Sequence, residues 1–422
     1  MIFNSGGVIF PEMYKERHIS DRLKRLTAAF PVVVLTGARQ TGKSTLLAHV
    51  FPETEAIVFD SAIDLTGVRR DADLFLDNHP APVILDEIQY APEVVSAIKR
   101  RVDKNRRPGL YILTGSQQWS VMKSISESLA GRAVFLNLDG FCLAEINQRL
   151  QHENWLQRWM SLTVEEFAKT VEKLNATRTL YEQLWRGWLP AADALDLEYI
   201  PDFYRSYIQT YVERDARVQT EVGDWQQFGK FTQLVSALTA QEINFSHLGR
   251  EIGINYQTAK NWLVVLKSTF QWFEVPAYSG NTIKKISSKP KGYISDTGLA
   301  CALNLISSHK ALGGHPILGA LFETAVVAEI RKLSNCISTP PQVYHWRSHS
   351  GAELDILLER DGVFYPVEIK AKSNPTKSDT KGISALRKAY PKLKIAPGLV
   401  ICPCEKFVKI SENDYALPWD SV

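Results

Sequence analysis

No apolar run in the 422 residues approaches the roughly 18 that a membrane-spanning helix needs, and no charged-then-apolar leader opens the chain. A membrane-spanning or secreted protein is therefore not expected, and the reading is cytoplasmic. Cysteine is scarce and odd in number, with five residues at Cys142, Cys301, Cys336, Cys402 and Cys404. Cys402 and Cys404 stand too close together for zinc-ligand spacing, and no histidine cluster completes them. That argues against a disulfide framework and a structural zinc site, and for reduced core thiols. There is no internal repeat and no low-complexity tract. A strong charge of one sign is also missing, since the formal net charge is +3. Its distribution is uneven: residues 280–422 carry 19 Lys/Arg against 13 Asp/Glu, and the rest carries 30 against 33. The basic C-terminal third fits either a polyanionic partner or a solvated lysine-rich surface. What is present is ordinary for a globular chain, at 45% hydrophobic and 23% charged residues. The length suits about two to four domains.

The strongest positive signal is Gly37-Ala38-Arg39-Gln40-Thr41-Gly42-Lys43-Ser44. It follows the apolar run Val32–Leu35 and precedes the helix-like Thr45-Leu46-Leu47-Ala48. Strand, glycine-rich loop and helix in this order form a P-loop, whose N–H groups and helix N-terminus surround phosphate oxygens. Gly37 through Ser44, with Thr45 behind them, are therefore the expected ATP-binding residues. Lys43 would reach the β/γ-phosphates and Ser44 would ligate Mg²⁺.

A second apolar run, Val83-Ile84-Leu85, ends in Asp86-Glu87. Asp86 is the expected Mg²⁺ holder, and Glu87 the base that orients and deprotonates the attacking water. A third ends in Thr114-Gly115-Ser116, where Ser116 is either a sensor of the γ-phosphate between the two Walker strands or a plain helix cap. Arg132, in Ser128-Leu129-Ala130-Gly131-Arg132, is either an arginine finger or sensor, in its own chain or a neighbour's, or a surface ion-pair partner. Runs at Ala56–Phe59, Pro82–Leu85, Leu110–Leu113 and Ala133–Leu136 predict a parallel sheet. From about 153 the pattern turns helical, with Trp155, Trp159, Trp185 and Trp188 expected in its core.

The stretches GARQTGKSTLL, LDEIQ, LTGS and SLAGR resemble the bacterial and archaeal AAA-type ATPases that carry a C-terminal domain of unknown function. Tyr211-Val212-Glu213-Arg214-Asp215, Pro290 to Leu299, Phe322-Glu323 and a final Asp…Glu-x-Lys set extend the resemblance over nearly the whole chain. It implies an ATPase, and it leaves a homo-oligomer open.

Residues 246–268 suit a helix-turn-helix: Ser246–Ile252, a turn at Gly253-Ile254-Asn255 with Asn255 as N-cap, and a second helix. Ala259, Trp262, Leu263 and Leu266 share one face of the second helix, leaving Gln257, Thr258, Lys260 and Asn261 outward. Two strand-like runs joined at Gly280-Asn281 follow, and the second carries Lys284, Lys285, Lys289 and Lys291. This reads as a winged helix with a basic wing, facing double-stranded DNA or packing as a protein-contact module.

Further on, Asp355 interrupts the apolar run of Gly351–Leu358, where a lone carboxylate is costly unless paired or metal-bound. Glu368 and Lys370 project from one face of the next strand. The set resembles the PD-(D/E)XK nuclease fold. That resemblance implies Mg²⁺ held by Asp355, Glu368 and an upstream helical glutamate, with Lys370 orienting or activating water. Glu323 fits the pattern better, and Glu329 is the alternative. A solvated strand face would explain Glu368, Lys370 and Lys372 equally well, but not Asp355.

The expected fold class is α/β: a P-loop parallel sheet over 1–150, a helical lid over 151–240, a winged helix over 241–300 and a nuclease-like α/β domain over 301–422. The expected function is Mg²⁺-dependent ATP hydrolysis coupled to a DNA-binding, nuclease-like region. The rival is an ATP-controlled switch that binds a protein partner and cleaves nothing.

Overall fold

The computed structural model describes residues 14–60, 65–116, 127–174, 178–212, 225–280, 288–348 and 350–422. The chain divides into two compact units, Met1–Phe141 and Cys142–Val422.

In the first unit the apolar runs form five parallel strands: β1 (Val32–Thr36), β2 (Glu55–Val58), β3 (Val83–Asp86), β4 (Tyr111–Gly115) and β5 (Ala133–Asn137). Strands β1, β3 and β4 are buried along their whole length, as continuous apolar runs in a parallel sheet should be. The helix Glu93–Lys104 lays Val94, Val95, Ala97, Ile98 and Val102 into the same core. Each such valine or isoleucine contributes about 1.5–3 kcal/mol by leaving water. The strand order is β2-β3-β4-β1-β5. The chain thus fills one side of β1 before crossing to the other, and β1 stands where the order reverses. Open α/β sheets bind ligands there, beyond the carboxyl ends of the strands.

In the second unit Trp155, Trp159, Trp185 and Trp188 are all buried, in keeping with a core role. The helix Trp225–Ala237 leads to β6 (Gln241–Glu242), the helices Phe245–Ile252 and Tyr256–Ser268, then β7 (Trp272–Val275) and β8 (Lys291–Ile294). The three strands form an antiparallel sheet in the order β6-β8-β7. Asn244 and Asn255 cap the two helices through their side-chain oxygens. On the second helix Gln257, Lys260 and Asn261 face outward with Tyr256, while Thr258 is half-buried. Lys284 and Lys285 lie outside the described residues, as do Glu213, Arg214 and Asp215. Lys289 is exposed, but Lys291 is not: it is 8% exposed and points into the unit. Its expected place on a basic wing is corrected below by its partners.

The long helix Leu318–Cys336 precedes a seven-stranded mixed sheet: β9 (Gln342–Arg347), β10 (Glu353–Arg360), β11 (Val363–Ile369), β12 (Lys394–Ile395), β13 (Gly398–Cys402), β14 (Val408–Lys409) and β15 (Asp414–Pro418). Strands β9, β10 and β11 are antiparallel neighbours, whereas β11, β13 and β15 run parallel. The helix Lys381–Ala389 lies between β11 and β13 in the chain. It buries Ile383 and Leu386 among Tyr344, Trp346, Leu354, Leu357 and Phe364. Between Leu354 and Leu357 the register of β10 against β9 slips by one residue. Asp355 sits in this bulge, a device that re-aims a side chain out of strict alternation. This is how a carboxylate fits within an otherwise apolar strand.

Candidate functional site

At the end of β1 the backbone turns sharply. Gly42 adopts φ +86°, which L side chains rarely do, and N-caps the helix Lys43–Val50. Thr41 Oγ1 donates to the Ala38 carbonyl at 2.9 Å, and Lys43 Nζ donates to the carbonyls of Gly37 and Ala38 at 3.0 Å each. The loop is thereby folded over its own lysine. Ser44 Oγ donates to Asp86 Oδ2 at 2.5 Å, which joins the loop to the end of β3. Thr114, at the end of the intervening β4, donates its hydroxyl to Asp86 Oδ1 and accepts the Glu87 N–H at 3.0 Å. Glu87 is held in the left-handed region, φ +57°, an uncommon place for a glutamate and one found at functional sites. Its carboxylate accepts from Gln89, whose Nε2 also donates to Ser116 Oγ at 3.2 Å. Ser116 directly follows β4, the strand between β1, which leads into the P-loop, and β3, which ends in Asp86; the residues after it lie outside those described.

The second constellation is in the other unit. Asp355 Oδ2 accepts the Ile369 N–H at 2.8 Å and the Lys370 ammonium at 3.2 Å. Lys370 Nζ also reaches Glu368 Oε2 at 2.7 Å. On the other side Lys291 Nζ lies 3.6 Å from Asp355 Oδ1 and donates to Glu323 Oε1 at 2.9 Å. The Tyr293 hydroxyl donates to that same Glu323 oxygen at 2.9 Å. Glu323, Asp355, Glu368 and Lys370 are thus brought together, with Lys291 and Tyr293 added from β8.

Burial, then the Asp355 charge, pushes the Glu368 carboxyl up to about 8. Burial would raise Asp355 too, but Lys370, Lys291 and the Ile369 N–H outweigh it and hold Asp355 below the usual range. The pair therefore shares one proton near neutrality, as two close carboxylates do. Two hard oxygen donors at one point suit Mg²⁺, which takes one or two carboxylates and leaves the remaining positions to water and phosphate. Among the described residues no group of three or more His, Cys, Asp or Glu side chains is gathered to hold a metal unaided. Glu368 is closed in by the helix Lys381–Ala389: a Cβ at Gly382 would lie 1.9 Å from the Glu353 carbonyl oxygen and 2.0 Å from Glu368 Oε1.

Residues 29–147 match the family model described as an AAA domain. They form an AAA-type P-loop ATPase domain. Two domains of unknown function match further along the chain, DUF8612 over 177–310 and DUF4143 over 318–422. The chain is similar to the uncharacterized proteins Rv2008c of Mycobacterium tuberculosis and Mb2031c of Mycobacterium bovis. Each is 27% identical over 413 residues, spanning 97% of this chain and 85% of the relative. Among solved structures, a Walker-type ATPase of Pyrococcus abyssi aligns at 16% identity and TM-score 0.40, covering 69% of this chain and 97% of that one. The RuvB Holliday junction branch migration motor of Thermotoga maritima aligns at 14% identity and TM-score 0.30, covering 62% and 90%.

Within the first unit two further residues hold the site together. Gln89 ties Glu87 to Ser116. Arg17, 5% exposed, donates to the carbonyls of Thr41 at 2.9 Å, Asp139 at 2.7 Å and Gly140 at 3.2 Å. Arg132 stands elsewhere. It donates to Asp103 through Nε at 2.5 Å and Nη2 at 2.8 Å, and it precedes Ala133, which pairs with Val32 at the start of β1. The P-loop follows the other end of β1, about 13 Å away at ~3.3 Å per residue. In its own chain Arg132 is therefore an ion-pair partner at the opposite end of the strands from the P-loop. Glu329 is likewise outside the carboxylate cluster. It accepts the Leu143 N–H at 2.9 Å at the start of the short helix Leu143–Ile146, and Lys332 lies 3.8 Å away.

Proposed function

We propose that this chain is a Mg²⁺-dependent ATP hydrolase whose second unit contains a winged helix and a PD-(D/E)XK-type domain, and that hydrolysis controls how that unit engages double-stranded DNA. The observation that carries the ATP reading is the Ser44–Asp86 hydrogen bond. It supports a common metal point for the P-loop and the acid at the end of β3, since both groups are hard oxygen donors. Mg²⁺ bound there would offset phosphate charge. Lys43 binds the β- and γ-phosphates, and Thr114 fixes Asp86 and the Glu87 backbone. Glu87 takes a proton from water as the water oxygen bonds to the γ-phosphorus and the bond to the β,γ-bridging oxygen breaks, leaving ADP and phosphate. Full-length protein should hydrolyse ATP with Mg²⁺, and Lys43→Ala should not; unchanged turnover in that variant refutes the assignment.

The outward Gln257, Lys260 and Asn261 support DNA contact by the helix Tyr256–Ser268. The Asp355, Glu368 and Lys370 cluster supports metal-dependent cleavage. A second reading, an ATP-controlled switch that binds a protein partner without cleaving, is favoured by one observation: both Asp355 oxygens already face ammonium groups. Cleavage of duplex DNA that needs Mg²⁺ or Mn²⁺ and is lost in Asp355→Ala and Lys370→Ala selects the first reading. Absence of cleavage, with ATP-dependent capture of a protein and no salt-sensitive DNA binding, selects the second.

A further inference from the structure

We propose that Lys291 is a built-in cation of the carboxylate site, and that a divalent metal binds Asp355 only when the Lys291 ammonium withdraws. The inference rests on the reading of the Asp355/Glu368 pair as a metal site.

Three observations carry it. Lys291 is 8% exposed, so its ammonium has given up water and depends on protein partners. Those partners are the carboxylates a metal would use, Glu323 Oε1 at 2.9 Å and Asp355 Oδ1 at 3.6 Å. The other Asp355 oxygen is already taken by the Ile369 N–H and Lys370. A divalent ion on Oδ1 would therefore meet Lys291 at close range, and like charges repel strongly where little water intervenes.

Lys291 is not a mobile surface lysine. It opens β8, pairs with Glu242 of β6 and Val275 of β7, and is followed two residues later by Tyr293, which grips the same Glu323 oxygen. Its reach into the cluster is set by the position of the three-stranded sheet whose β7 continues from the helix Tyr256–Ser268. Whatever shifts that sheet decides whether Asp355 faces a lysine or a metal. Lys291 is thus a positioning residue that selects between two cations.

The test is Mn²⁺ titration followed by electron paramagnetic resonance on the full chain without nucleotide, comparing wild type, Lys291→Met and Asp355→Ala. The Asp355→Ala protein subtracts binding at other sites. The expected result is an Asp355-dependent site that binds Mn²⁺ at least about tenfold more tightly in Lys291→Met than in wild type, equivalent to about 1.4 kcal/mol. Equal or tighter binding by wild type overturns the role of Lys291 and leaves the metal reading standing. Absence of an Asp355-dependent site in both folded proteins overturns the metal reading itself, and this inference with it. If Lys291→Met lacks the wild-type circular dichroism spectrum, acylation of the wild-type lysines by an N-hydroxysuccinimide ester decides instead. Lys291 should be protected without Mn²⁺ and labelled several-fold faster with it; labelling that ignores Mn²⁺ refutes the proposal.

Discussion

Glu329 offers a perturbation whose sign runs against intuition: removing its charge should stabilise the protein. The side chain is 6% exposed and burial pushes its carboxyl from an ordinary 4.5 up to about 7. The folded chain therefore holds a proton between about pH 4.5 and 7 that the unfolded chain has released. By linkage, the contribution of Glu329 is least unfavourable below pH 4.5, worsens as pH rises, and is fully unfavourable above about 7. At 1.36 kcal/mol per pH unit the gap amounts to about 3 kcal/mol, a ceiling because local relaxation lowers it. Glu329→Gln keeps an oxygen to accept the Leu143 N–H and removes the titration. At pH 8 the variant should be more stable than wild type by up to about 3 kcal/mol, and toward pH 5 the gap should shrink below about 1 kcal/mol. Urea unfolding followed by tryptophan fluorescence measures this in the relevant unit, because nine of the ten tryptophans lie beyond residue 141. A variant equal to or weaker than wild type at pH 8 would show that Lys332 offsets the burial cost of the Glu329 charge in the folded protein, and the reasoning would fail.

Two further outcomes are expected. Glu87→Gln should still bind ATP, because the phosphate-facing loop is untouched, while turnover falls about 10²- to 10⁴-fold as a general base is lost; loss of binding in a nucleotide titration would reassign Glu87 to holding the loop. Gly382→Ala should destabilise the second unit by about 1–3 kcal/mol despite the better helix propensity of alanine, since the new methyl meets the Glu353 carbonyl and the Glu368 carboxylate. An unchanged urea midpoint would mean that the helix Lys381–Ala389 shifts freely.

Gly37–Ser44 and Asp86-Glu87 were legible in the sequence because each motif is local: a few adjacent residues create the loop or the strand end, and the flanking apolar runs fix its setting. Asp355 was legible for a different reason, the energetic oddity of a carboxylate inside an apolar strand. Glu323 was preferred to Glu329 on the family pattern alone, because helix periodicity did not separate them. They lie six residues apart, about 240° around a helix of 3.6 residues per turn, and both border its apolar stripe. Only packing against β8 and β10 distinguishes them. Lys291 was misread because lysine is usually solvated and its neighbours Lys284, Lys285 and Lys289 suggested one basic surface. Its partners Glu323 and Asp355 are 32 and 64 positions away, and nothing local encodes the pairing. Gln89 closes the LDEIQ stretch but was given no role there, and Arg17 left no signal beyond its residue type.

The buried guanidinium of Arg17 has a consequence beyond rigidity. One side chain grips the P-loop carbonyl of Thr41 and the two carbonyls of Asp139 and Gly140. Those two residues immediately precede Phe141, where the ATPase unit ends. Loop and exit segment are therefore one mechanical part, tied by a planar group that cannot stretch. In this geometry a displacement of Thr41 would be felt at Asp139 and Gly140 through the Arg17 guanidinium alone. The P-loop thus carries its own tie to the segment that ends the first unit, and Arg17→Ala would cut that tie while leaving every phosphate-facing group in place.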